Sequence, residues 1–416
     1  MLQPLARRQG SEDRHGHRIM NQSYDRKLKA DLESLRSAGT LKVLRHITTP
    51  MEATVHMEEA GDAVVLSSNN YLGLADDPKV VAAGIEGLKR FGAGTASVRF
   101  ICGTLSIHRE LEDKIASFLG TENALTYVSC WNANTGLIPT IAVEGTAIVS
   151  DELNHASIID GCRMATQSQR LRYRHADMAD LESKLAALPP DMPKFIITDG
   201  VFSMEGDLAK LPEIVALAKR YNGVTIVDDS HGTGVMGATG RGTIEHHGLT
   251  GQIDIITGTL GKALGGAAGG FVAGSAALID TLIQKSRPML FSNALPATVA
   301  SSALAAIREL DANPGLLAKQ RQNIKYFRAG LASLGFKPLD GDSAIIPIIV
   351  GETAFAIKMS DMLLKEGVFV TGFGFPVVPE GSARIRVQMS AALEQSHLDK
   401  ALAAFKKVGR ELGLIK

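Results

Sequence analysis

Lys262 is the only charged residue in "GTLGKALGGAAGG" (258–270), a stretch otherwise built from glycine, alanine, threonine and leucine. A lone lysine in such company suits two chemistries: neutralising a bound phosphate, or acting as an amine nucleophile. A phosphate-binding P-loop requires glycine five residues before its Gly-Lys pair and serine or threonine directly after it. Those positions hold Ile256 and Ala263, so the first chemistry fails on spacing. The second remains, because small, weakly polar surroundings disfavour the ammonium form and leave a lysine able to attack a carbonyl or take a proton.

Pyridoxal 5'-phosphate requires an amine of that kind. It needs a lysine for a Schiff base, a carboxylate that keeps its pyridine nitrogen protonated, and donors for its phosphate. Asp228 closes the apolar run "GVTIVDD", where a charge is costly unless a cation meets it. An aspartate that merely opens a loop is the ordinary alternative. His231 follows three residues later, placed to donate to the cofactor's phenolic oxygen, and Thr259 offers a hydroxyl to the phosphate. The segment "SCWNANTGL" (129–137), small and polar ahead of a helical pattern, suits an anion site of free N–H groups, or simply an N-cap. A competing dinucleotide fingerprint, "GTGVMG" (232–237), would set Asp228 and Asp229 against a pyrophosphate. Its expected acid about 20 residues on is also misplaced, since Asp254 opens the next strand instead of closing it. Nicotinamide chemistry is therefore disfavoured.

These residues need a frame that brings them to one edge. The runs "NALTYVS", "TAIVSD", "KFIITDGVFS", "GVTIVDDSH", "DIITGTLGK" and "GGFVAG" read as strands, and "MADLESKLAAL" and "KLPEIVALAKRY" between them have helical spacing. Alternating strands and helices, apolar on both faces, predict a mainly parallel sheet covered on both sides, with ligands beyond the carboxyl ends of its strands. Asp199, Ser203, Asp228, His231, Thr259 and Lys262 all fall at or just after such ends. One long helix is predicted from about Pro296 to Leu334, followed by "SAIIPIIVG", a helix, the strand "VFVTGF", "ARIRVQMS" and a last helix. The expected organisation is a tail over 1–19, an N-terminal helix and arm over 20–65, a large cofactor-binding domain over 66–300 and a small α+β domain over 301–416.

Composition narrows the partners. Forty-four basic residues balance forty-four acidic ones, so no overall field draws in nucleic acid or an anionic membrane. Cys102, Cys130 and Cys162 are spaced for neither a disulfide framework nor a metal site, and no apolar run approaches the roughly 20 residues needed to cross a bilayer. A cytoplasmic protein without a membrane span, and without a secretory signal in residues 1–19, is expected.

The ordered set "SNNYLGL", "ASVRFICGT", "SCWNANTGL", "LNHASIIDG", "TDGVFSMEGDLA", "VDDSHGTGVMGATGRG", "TGTLGKALGG", "SRPMLFSNALP", "GFPVVP" and "ARIRVQMSAA" resembles the α-oxoamine synthases from about Leu28 to the C-terminus. These are fold-type I pyridoxal-phosphate enzymes, aspartate aminotransferase-like in architecture, which condense an amino acid with an acyl-CoA. Several of the motifs look most like the members that join glycine to acetyl-CoA. Others in the family use other amino acids and longer acyl chains, and a non-catalytic subunit would be expected to lack Lys262.

The resemblance implies that Lys262 carries the cofactor as a Schiff base and moves the substrate's α-proton, that Asp228 pairs with the pyridinium, and that His155 stacks on the ring. It implies that Ser203 and His231 bind the phenolic oxygen. Cys130, Trp131 and Thr259 would hold the phosphate, with Ser292 and Asn293 supplied by the second subunit of a homodimer. Asn69 and Arg386 would bind the amino acid carboxylate. Arg384 points the same way along its strand as Arg386, and only the motif separates the two. The family's motif usually has phenylalanine where this chain has Trp131.

Overall fold

The computed structural model describes residues 21–416, and the expected tail over 1–19 lies outside them. Of the described residues, those up to Leu44 form one unit and Arg45–Lys416 a second. The described part of the first unit carries the helix Gln22–Ser37, capped by the Asn21 side chain accepting from the Tyr24 N–H.

Thirteen strands build the second unit. They are β1 Thr54–Met57, β2 Gly61–Val65, β3 Asn123–Tyr127, β4 Ala147–Asp151, β5 Gln169–Tyr173, β6 Lys194–Asp199, β7 Gly223–Asp228, β8 Ile255–Thr259, β9 Gly270–Gly274, β10 Ile345–Gly351, β11 Val368–Phe369, β12 Thr371–Phe373 and β13 Ala383–Gln388. Seven of them form the central sheet in the order β3-β9-β8-β7-β6-β4-β5. Neighbours from β8 to β5 pair parallel, and β9 alone runs against both β8 and β3.

Alternation along these strands divides the core in two. Val149, Ile196, Val227 and Ile256 face one apolar cluster, while Ile148, Ile197, Ile226 and Ile255 face the other. The helices Cys130–Ile141 and Ala156–Met164 cover the second face with Leu137, Ile138 and Ile158. Leu181 and Leu185, Ile214 and Val215, and Ala300 and Leu304, from three other helices, cover the first. A sheet buried on both sides in this way is the reason its strands read as continuous apolar runs.

Two of the sequence readings need correction. The helix expected from about Pro296 to Leu334 is two helices, Ala297–Ala312 and Gly315–Leu334. Proline disfavours the helical conformation in the residue before it and has no N–H of its own; Asn313, before Pro314, is pushed to φ −128° and ψ 78°. The single strand expected at "VFVTGF" is likewise two. β11 joins β2 in a sheet of order β1-β2-β11, whereas β12, two residues on, joins β13 in the sheet β10-β13-β12. The Leu66 N–H donates to the Phe369 carbonyl and the Gln388 N–H to the Leu66 carbonyl, so this hexapeptide binds the segment after β2 to the end of β13.

Candidate active site

Because β4, β6, β7 and β8 run parallel, their carboxyl ends open on one edge, and a cavity of about 210 Å³ lies there. Eight of the residues singled out by the motifs line it: Cys130, Trp131, His155, Ser203, Asp228, His231, Thr259 and Lys262. Arg386 reaches it, Nη1 donating at 2.9 Å to the carbonyl of Ser203, and Asn69 is linked to Arg386 through Gln388. Ser292 and Asn293 do not line it in the single chain. They line a separate small crevice with Arg99 and Thr126, and Asn293 bridges to Val98.

The Lys262 amine has no hydrogen bond or ion pair among the described residues. Burial pushes its pKa down, against the pull of Asp228, Cys130 and Asp199, which favours the neutral, nucleophilic form. Asp228, 3% exposed, is held from both sides: Oδ2 accepts from Asn134 Nδ2 at 2.7 Å and from the Cys130 thiol at 3.6 Å, and Oδ1 accepts from the Ser230 N–H at 3.0 Å. Burial, then the Asp228 charge, push the Cys130 thiol well up, so it stays protonated and donates. Asp199 sits across from Asp228 in the β6–β7 register and is driven the same way, first by burial and then by Asp228. Of the two carboxyls, Asp228 is the one whose two oxygens both accept hydrogen bonds.

Backbone geometry explains the glycines better than ligand access does. A Cβ at Gly258 would stand 2.5 Å from the Phe271 ring, and one at Gly270 would run into the backbone of Ser129 and Cys130. The second close approach holds β9 against the start of the helix Cys130–Ile141, whose cap is the Ser129 hydroxyl accepting from the Asn132 N–H at 3.1 Å. Ser129, Cys130 and Trp131 thus present the N-terminal turn of a helix to the cavity, where free N–H groups and the helix dipole favour an anion. The Thr259 hydroxyl at the same cavity donates to the Gly269 carbonyl and accepts from the Gly261 N–H.

Both histidines are turned by hydrogen bonds at Nδ1. His155 caps the helix Ala156–Met164: its Nδ1 meets Ser157 Oγ at 2.7 Å and the Ser157 N–H at 3.3 Å, and its ring stands edge-on to Trp131. Burial lowers its pKa. His231 Nδ1 meets the Tyr71 hydroxyl at 2.8 Å, and burial, then Lys262 and Arg386, hold its pKa well below the usual histidine value.

The two arginines of "ARIRV", which strand alternation cannot separate, are separated by their partners. Arg384 pairs with Glu205 at 2.9 Å and donates to the Met204 carbonyl. Arg386 pairs with no carboxylate among the described residues, lies over the Phe373 ring and leaves a buried Nε without an acceptor. An anionic ligand is what that guanidinium lacks.

This donor set fits pyridoxal phosphate: an unpaired amine, a carboxylate fixed at both oxygens, an anion-seeking helix end and a neutral histidine, with an unmatched guanidinium for a substrate carboxylate. Four further residues complete the arrangement without having a signal in the sequence. Tyr71, Asn134, Ser157 and Gln388 act through contacts up to 319 residues apart in the chain, and only the three-dimensional pairing reveals them.

The family model "Aminotransferase class I and II" matches residues 61–405. The chain is 46% identical over 389 residues to the mitochondrial 2-amino-3-ketobutyrate coenzyme A ligase of Bos taurus, covering 93% of each. It is also 46% identical over 389 residues to the 8-amino-7-oxononanoate synthase of Symbiobacterium thermophilum, covering 93% of this chain and 98% of that one. Among solved structures it is similar to a serine palmitoyltransferase variant from S. paucimobilis with a bound PLP–myriocin aldimine. That match has a TM-score of 0.89 and 32% identity, and covers 94% of this chain and 99% of that chain.

Proposed function

Since the chain belongs to the α-oxoamine synthases, within the class I and II aminotransferase family, we propose that it is a glycine C-acetyltransferase, also called 2-amino-3-ketobutyrate CoA ligase. It joins glycine and acetyl-CoA to 2-amino-3-oxobutanoate and free CoA, and in threonine degradation runs the cleavage in reverse. The observation that carries this reading is the unpaired, pKa-lowered Lys262 sharing one cavity with Asp228 and His231. The 2-amino-3-ketobutyrate ligase name of relatives at 43–46% identity supports the acetyl and glycine assignment.

When bound, pyridoxal phosphate supplies a carbonyl for an amine and a protonated ring that takes up charge from the substrate's α-carbon. The first-turn N–H groups at Cys130 and Trp131 would hold its phosphate, joined by Thr259 on turning its hydroxyl from the Gly269 carbonyl. Asp228 would keep the ring nitrogen protonated, His155 would lie against the ring, and Ser203 and His231 would serve the phenolic oxygen. Arg386 and Asn69 grip glycine's carboxylate and aim its α-hydrogen at Lys262 Nζ, which takes the proton. The acetyl group then moves from sulfur to the α-carbon, and the proton leaves on the thiol of CoA, so the exchange balances without a further reagent.

A homodimer belongs to the same reading, with Ser292 and Asn293 reaching the neighbour's phosphate site. The exposed apolar side chains Phe100, Ile101 and Phe291, near those residues in sequence or space, support a covered face. The cytoplasm is the compartment proposed, in keeping with three free cysteines; no helix among the described residues is long and apolar enough to cross a membrane.

The test is CoA release from glycine, serine or alanine against acetyl-, succinyl-, pimeloyl- and palmitoyl-CoA. Glycine with acetyl-CoA should be fastest. A 46%-identical relative named 8-amino-7-oxononanoate synthase favours alanine with pimeloyl-CoA as the second reading, and a maximum there would replace the first.

The clamp makes its own prediction. Arg386→Lys exchanges a two-pronged donor for a point charge and should cost about 3 kcal/mol of carboxylate binding, read as a roughly 100-fold higher KM for glycine with kcat less affected. Arg384→Lys should leave that KM within a few-fold, because its partner is Glu205. Equal effects of the two substitutions on KM would refute the assignment.

A further inference from the structure

Gln388 lies at the end of β13, 1% exposed, and makes three side-chain hydrogen bonds. Its Oε1 accepts from Arg386 Nη2 at 3.1 Å, and its Nε2 donates to Asn69 Oδ1 and to the Tyr71 hydroxyl oxygen, both at 2.7 Å. Arg386 has only donors to offer, so it fixes which end of the amide is which. With both Nε2 hydrogens spent, one falls on the Tyr71 oxygen. Among the described residues the Tyr71 hydrogen then has a single acceptor within reach, His231 Nδ1 at 2.8 Å. A ring nitrogen that accepts is unprotonated, so the proton of the neutral imidazole must sit on Nε2, which makes no bond to the described chain and belongs to a residue lining the cavity.

We propose that Gln388 is a positioning residue that couples the carboxylate clamp of Arg386 and Asn69 to the tautomer of His231, so that one amide both spaces the clamp and makes His231 a hydrogen-bond donor toward the cavity. The inference rests on the proposed function for what the clamp and the histidine serve, whereas the tautomer itself is a property of the chain alone. Gln388 touches no reacting atom. It acts through Arg386 and Asn69 on one side and through Tyr71 on the other.

The test is nitrogen NMR of apoprotein labelled with ¹⁵N-histidine, with the His231 pair assigned by its loss in His231→Gln. The wild-type protein should show His231 with a protonated Nε2 and a bare Nδ1. Gln388→Glu supplies an acceptor where Tyr71 now meets a donor, so the Tyr71 hydrogen turns to the carboxylate and the His231 proton moves to Nδ1. Loss of that donor should lower kcat of the loaded enzyme by about 100-fold at saturating glycine, while the new carboxylate beside Arg386 raises KM for glycine as well. Gln388→Met removes the donor without adding an acceptor. It should keep the proton on Nε2 and instead raise KM for glycine about 10-fold as the clamp loosens.

A merely structural role would lower the melting temperature in both variants and move the tautomer in neither. A wild-type proton on Nδ1, or Gln388→Glu with the proton still on Nε2, overturns the proposal. A wild-type proton on Nδ1 overturns the proposal even where the variants fail to fold. Failure of the functional reading would show separately, as wild-type protein that gains no band near the visible edge when pyridoxal phosphate is added.

Discussion

Lys262→Ala will give a folded protein that binds pyridoxal phosphate only reversibly, without the absorbance near the visible edge that a lysine Schiff base produces. Its CoA release should fall on the order of 10⁴-fold or more, since the variant loses both the covalent anchor and the group that moves the α-proton. Its apoprotein should melt no lower than the wild type, which distinguishes the loss from unfolding. The Lys262 amine is buried with no hydrogen bond or ion pair among the described residues, and burial already works against its charge. Removing a buried amine that makes no hydrogen bond deletes no polar contact and leaves no partner unsatisfied. Activity within 10-fold of wild type, or a retained visible-edge band, would sink the assignment. Exchange of the glycine α-hydrogen for deuterium, followed by proton NMR, isolates the step and should be absent in the variant.

The second large effect is at Asp228. Asp228→Asn keeps the side chain's outline but removes the charge that holds the pyridine nitrogen protonated, so glycine deuterium exchange should slow by roughly 10³-fold. The visible-edge band should persist, because Lys262 is untouched, and the two variants therefore fail in opposite ways. A stability cost is expected as well. Both carboxylate oxygens of Asp228 accept hydrogen bonds, from Asn134 and Cys130 on one side and the Ser230 N–H on the other. The new amide NH₂ must oppose one of those donors, at about 1–3 kcal/mol. Near-normal exchange in this variant would remove Asp228 from its role.

How much of this was legible in the sequence follows from where each signal lies. Strands buried on both faces announce themselves as apolar runs, and six of the seven central strands were visible for that reason. β5, "QRLRY", was not: it is the edge strand, exposed over most of its length, and its two arginines and glutamine mask the period. The long C-terminal helical pattern hid its break because Pro314 stands between two stretches that are each helical. Asp228 was readable as a candidate because a charge at the end of an apolar strand is costly to leave idle, Lys262 because it stands alone among small residues, and His231 because it follows Asp228 by three; His155 entered only through the resemblance. Tyr71, Asn134, Ser157 and Gln388 were not, since each looks like ordinary core or loop chemistry until its partner from a distant segment is known. The pairing of Arg384 with Glu205 is of the same kind, and it separates two arginines that strand alternation leaves equivalent.

The split hexapeptide Val368–Phe373 has a consequence for how the site comes into being. The groups facing the cavity from Cys130 to Lys262 belong to one continuous stretch of chain and its sheet. The clamp joins Asn69 to Arg386 and Gln388, residues more than 300 positions apart, and it is tied by β11 pairing with β2 and β12 with β13. During synthesis the first group is complete well over a hundred residues before the second can close. Contacts of such long sequence separation form late in folding. The order of translation therefore finishes the Cys130–Lys262 side of the cavity before the contacts among Asn69, Arg386 and Gln388 can close, and never the reverse.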